Sequence, residues 1–254
     1  MLLNIPTIAV CNQATIPLGV DLTDLMVASQ IYLVSALVPA WGTRANLIHT
    51  EKPSSTAWNM VFLDNADQAN ALGYHDVAAN GLPFTKVFVK DTIDSGGLVS
   101  VTFTHELAEM LVDPICQKLM LDNSTGDVYP LEVADAVEES VFTVGHKNIP
   151  VSNFVLPTWF EFFHAPKSVK FDWMGHLTEP FQLEAGGYAE IIQGGKWNSV
   201  FGTREKAKRF ATEDRRDHRT QIRRAALNHL VKNDGEPVKL PGRVLIGQKK
   251  ADRK

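Results

Sequence analysis

The segment from Leu98 to Val112 places apolar residues at helical spacing, follows the turn Asp94-Ser95-Gly96-Gly97, and is stopped by Asp113-Pro114. It constrains the fold most, because this one helix carries His105, Glu106 and Glu109 among apolar neighbours. His105 and Glu109 are four apart, so they lie one above the other on the same helical face. That is the spacing by which a single helix offers two ligands to one metal ion. Glu106 is turned by about 100° from His105 and can reach the ion's outer shell, where a carboxylate takes a proton from bound water. The arrangement follows the logic of the H-E-x-x-H zinc helix, with Glu109 in place of the second histidine. An oxygen ligand is acceptable to Zn²⁺, and makes the site more anionic and less zinc-selective.

A third ligand must come from elsewhere in the chain. Leu131 to Glu138 sets acids among small apolar residues, and Glu132 or Asp135 could supply it. Asp113 lies two turns below His105 on the same stripe, where it either orients a ligand from behind or stops the helix as Asp-Pro. Cys116 lies just beyond and reads as a small buried hydrophobe near the site. His146, His164 and His176 follow the motif and could be ligands, but read better as surface or strand-end histidines. No G-x-S-x-G elbow, P-loop or dinucleotide fingerprint is present.

The rest of the chain reads as an α+β body. Strands are expected at Leu3–Val10, Ala45–His49 and Trp58–Leu63, and at Phe84–Lys90, where Val87 and Val89 alternate with lysines as on a sheet edge. Asp21 or Thr23 can cap a helix running to about Leu37, where Pro39 and Gly42 stop it. Gly73 to Gly81 is a Gly- and Asn-rich passage. Cys116 to Gly195 is strand and loop, with a turn at Asp122–Asp127 and a strand at Tyr188–Gln193 between two glycine pairs. The aromatic run Trp159, Phe160, Phe162 and Phe163 reads as buried between layers rather than as an interface. Leu25 to Thr43 is uncharged and near membrane-spanning length, but Ser29, Gln30, Ser35 and Pro39 favour a buried helix and no membrane.

Of 254 residues, 44% are hydrophobic and 21% charged, which excludes disorder of the whole chain. Two cysteines exclude a disulfide framework and a Cys-based zinc cluster, and fit a reducing cytoplasm. Met1 to Val20 carries no lysine or arginine, so the positive region of a signal peptide is missing. The net charge of −4 hides a division: residues 1–200 hold 9 Lys+Arg against 22 Asp+Glu, and residues 201–254 hold 16 against 7. Thr203–Lys232 has no Pro or Gly and reads as a basic helix, followed by an extended tail. Its arginines and lysines are interleaved with Glu205, Glu213, Asp214 and Asp217, and Phe210 is its one aromatic. That mix suits docking on an acidic subunit better than binding nucleic acid.

Thr104-His105-Glu106-Leu107-Ala108-Glu109, then Asp113-Pro114, then Glu132-Val133-Ala134-Asp135, resembles a zincin-like group of phage, prophage and some bacterial proteins. Val151–Phe160, Phe171–Gly175 and Gly186-Gly187-Tyr188 resemble the segments that follow in phage members, so the likeness spans roughly residues 98–190. It implies a sheet whose edge strand lies beside a metal-binding helix, and a Zn²⁺ site at His105, Glu106 and Glu109 with Glu132 or Asp135; in a working metallopeptidase Glu106 would be the catalytic general base. The chain is expected to divide into a zincin-like α+β domain (1–150), a β-rich extension (151–202) and a basic helix with tail (203–254). The expectation is a virion-associated structural protein, assembled in the host bacterial cytoplasm and docking on other virion subunits through its C-terminal arm. The alternatives are an active zinc metallopeptidase and a nucleic-acid-associated head or packaging protein.

Overall fold

The computed structural model describes residues 5–67 and 71–207. Helices and sheets are mixed throughout, as an α+β chain requires. Five strands, β1 (Thr7–Asn12), β2 (Asn46–His49), β3 (Trp58–Leu63), β4 (Gly73–Val77) and β5 (Pro83–Phe88), form one sheet in the order β2-β1-β3-β5-β4. The first four in that order are parallel, and β4 closes one edge antiparallel to β5. The first strand begins at Thr7, later than the expected Leu3.

Two helices cover the face carrying Ile8, Val10, Met60, Phe62 and Val87. The first, α1 (Leu22–Tyr32), is capped by Asp21, whose side chain accepts from the Asp24 N–H at 3.1 Å. Helical structure continues through a π segment, Leu33–Leu37, and a last turn, α2 (Val38–Trp41), so Pro39 does not end it as the sequence suggested. The π segment explains this. The Val38 N–H reaches back to Leu33 O, which shifts the register ahead of Pro39 and lets proline open the next turn. Gly42, in the left-handed region at φ 70°, ends the helix. By length and composition Leu22–Trp41 could cross a membrane, yet Leu25, Tyr32, Leu33 and Leu37 are fully buried in the core.

A short helix α3 (Val89–Asp94) follows β5, and Gly96-Gly97 leads into α4 (Val99–Val112). The expected Phe84–Lys90 strand is thus shorter, lies inside the sheet and ends in a helix. The edge belongs to β4, within the Gly- and Asn-rich passage where no strand is expected. Helix α4 is almost wholly buried, packing on β4 and β5 on one side and on β9 (Ile149–Ser152) on the other. Phe103 stacks on Phe62 with ring centroids 5.2 Å apart, and Thr104 Oγ1 accepts the Ser152 N–H at 2.9 Å. Burying Phe103 alone contributes about 2–3 kcal/mol.

Beyond α4, β8 (Val141–Val144) pairs with β9, and β6 (Leu119–Leu121), β7 (Val128–Pro130), β10 (Tyr188–Gln193) and β11 (Lys196–Phe201) form an antiparallel sheet. The same core includes Val151, Phe154, Trp159, Phe171 and Leu177. The aromatic run divides: Trp159 and Phe160 are buried in a 3₁₀ turn, while Phe162 and Phe163 are exposed. Arg204–Ala207 begins a helix whose Lys206 pairs with Glu138. The expected helix beyond residue 207 and the extended tail lie outside the described residues.

Candidate metal centre

Helix α4 presents His105, Glu106 and Glu109 towards β4 and towards the segment that follows β7. On β4, His75 stands opposite Thr85, whose hydroxyl donates to Met110 Sδ of α4 at 3.4 Å. Directly paired residues share a sheet face, so His75 also faces α4. The close approach needs Gly73. A Cβ there would lie 3.0 Å from Glu106 Cγ and 3.0 Å from the Lys86 carbonyl. From the other side come Glu132, held by its N–H to Pro130 O at 2.9 Å, and Asp135, which opens the 3₁₀ turn Asp135–Val137.

These elements bring six buried ionisable side chains together. His75 Nδ1 lies 3.5 Å from Glu106 Oε2 and 3.6 Å from Glu109 Oε2, and His75 Nε2 lies 3.9 Å from Glu132 Oε2. His105 Nε2 lies 3.4 Å from Glu109 Oε1 and 3.2 Å from Asp135 Oδ1. Two triads result, His75–Glu109–Glu132 and His105–Glu109–Asp135, each with ligand atoms within 4.8 Å of one another. Most of these separations exceed a well-formed hydrogen bond. They are close to the roughly 3.4 Å edge of a tetrahedron whose ligands sit about 2.1 Å from a zinc ion.

Electrostatics point the same way. Burial is the largest single influence on His75 and opposes its charge, but Cys116, Glu132 and Glu106 together outweigh it and hold its pKa well above the ordinary range. His105 behaves alike, with burial overcome by Glu109, Asp135 and Glu106. The Tyr32 hydroxyl is pushed up by burial and by Glu109. Two imidazoles and four carboxylates thus share one buried site, and buried charges in proteins are paired or coordinate metals. The donor set of imidazole nitrogen and carboxylate oxygen therefore fits a divalent transition metal. A narrow cleft lined by Tyr129, Glu132, Asp135, Trp159, Tyr188 and Glu190 borders the cluster.

Of the residues read from the sequence, His105, Glu106, Glu109, Glu132 and Asp135 converge here. Glu132 joins the His75 triad and Asp135 the His105 triad. Asp113 is buried and accepts the Lys118 N–H at 2.9 Å, which ties down the helix exit. Cys116 is buried against β4, its thiol donating to the His75 carbonyl at 3.7 Å. His164 and His176 pair instead with Glu161 and Glu184, each at 2.6 Å, and His146 is exposed. Sequence reasoning missed His75. The signal that could have found it is Asn80-Gly81 between two short apolar runs, a hairpin turn that makes Gly73–Val77 a strand. No family model, curated protein or solved structure matches the chain.

Proposed function

We propose that this chain is a zincin-like metal-binding protein with a structural role in a phage virion, its Zn²⁺ held by His105, Glu109 and Asp135. One observation carries the metal reading: two buried triads of imidazole and carboxylate, each with its ligand atoms within 4.8 Å of one another, meet at Glu109. The zincin-like reading is supported by the antiparallel edge strand β4 lying against the ligand-bearing helix. The virion assignment rests on the motif's resemblance to phage proteins. A structural rather than hydrolytic role is supported by enclosure. Glu106 is turned to His75 rather than to solvent, and Cys116 covers the β4 backbone at His75, where a peptide would otherwise add as a further strand. When bound, the ion supplies charge that fastens α4 to the turn at Asp135.

Elemental analysis of dialysed protein tests this reading. Wild type should retain zinc, and His105→Ala should lose it. Wild type without zinc, after loading and dialysis, would overturn the proposal.

A second reading, metal-dependent peptide hydrolysis, is favoured by the cleft that reaches Glu132 and Asp135. There Zn²⁺ would supply Lewis acidity and Glu106 would accept a proton. Under the structural reading, wild type and Glu106→Gln are equally inert on unfolded protein and peptide libraries. Cleavage by wild type that Glu106→Gln abolishes would instead establish the peptidase.

A further inference from the structure

We infer that the centre binds a pair of divalent cations, the second held by His75, Glu109 and Glu132, with the Glu109 carboxylate bridging the two ions. The inference rests on the metal reading above and extends it from one ion to two.

Glu109 is built for both. Its Oε1 faces His105 Nε2 at 3.4 Å and is fixed by the Ala134 N–H at 3.3 Å, while its Oε2 faces His75 Nδ1 at 3.6 Å. Each oxygen therefore belongs to a different triad. Apart from Glu109, the triads share no residue, and each contributes one imidazole and one further carboxylate. Glu106 Oε2, 3.5 Å from His75 Nδ1, adds an oxygen on the His75 side. The pair of ions in known two-metal centres is spaced by about 3.5–4 Å, a distance that one carboxylate spans with its two oxygens.

The donor set is rich in oxygen, with one nitrogen per ion, which suits Zn²⁺, Mn²⁺, Fe²⁺ or Co²⁺.

The test counts metal per chain by elemental analysis after loading with Zn²⁺ or Mn²⁺ and dialysis, with folding checked by circular dichroism. Wild type should hold two ions. His75→Ala and Glu132→Gln should each halve that number, and Glu132→Gln nearly preserves side-chain volume, so it carries the count if His75→Ala does not fold. In the Mn²⁺-loaded protein, electron paramagnetic resonance should report a spin-coupled pair that Glu132→Gln uncouples. One uncoupled ion in wild type, unchanged in Glu132→Gln, would overturn the second site and leave the single-metal reading standing. No bound ion in wild type would overturn both.

Discussion

Asp172 and Glu109 are both fully buried carboxylates, and their surroundings differ in kind. Asp172 accepts from Asn153 Nδ2 at 2.8 Å and from the Gly175 and Leu177 N–H groups at 2.9 and 2.8 Å. Those donors are permanent, so Asp172 stitches together the loops after β9 whatever the solution contains. Glu109 accepts one backbone N–H, from Ala134 at 3.3 Å, and its other neighbours include two imidazoles, whose charge varies with pH. One carboxylate is satisfied by the fold itself. The other, under the proposed metal reading, ties the fold to what is dissolved around it.

The largest effect should separate them by metal. In zinc at about a thousand times its dissociation constant, chelation or Glu109→Gln should remove about 4 kcal/mol of stability, measured by denaturant unfolding. Asp172→Ala should remove about 3 kcal/mol by stranding buried N–H groups, and that loss should be the same with and without chelator. A chelator-sensitive Asp172→Ala would break the distinction.

A smaller effect concerns pH. In metal-free protein the raised pKa values of His75 and His105 contribute stability that is fully present below their ordinary value of 6.5. It is lost as pH rises through the raised folded values. Zinc-loaded protein should lose that decline and run nearly flat over the same window, because metal-bound imidazoles hold no proton to give up. Thermal melts at several pH values, with and without zinc, check the difference.

Least disruptive is Gly73→Ala, which presses a methyl group against Glu106 and the Lys86 carbonyl. It should cost about 1 kcal/mol and weaken metal retention, whereas alanine at exposed Gly81 should leave metal retention unchanged.

Much of this centre can be read from local sequence because α4 is punctuated at both ends. The expected Leu98–Val112 and the observed Val99–Val112 differ by one residue. Glycine pairs mark Tyr188–Gln193 equally well, and both ends agree. Pro39 misled because a π segment absorbs its missing donor, a tertiary accommodation that local propensity does not register. His75 was hidden for a related reason. Ligands on one helix announce themselves by spacing, but a ligand on an edge strand reaches the site only through the pairing of β4 with β5. The exposed Phe162 and Phe163 beside buried Trp159 and Phe160 show the same limit, since a run of aromatics does not say which members the turn will turn outward.

The span of Glu109's partners also has a consequence in time. Its neighbours come from residue 75 to residue 135, so neither donor set is complete until the segment through Asp135 folds back onto α4. A nascent chain emerging at roughly 5–20 residues per second can pair β1 with β3 and dock α1 well before that. During the interval the acids of the future centre sit in water, hydrated and mutually repelling. Contacts that form after the rate-limiting step leave the folding rate nearly unchanged and slow the escape from the native state. Bound metal in this protein would therefore act as a latch, setting how long the folded chain lasts rather than how fast it arises.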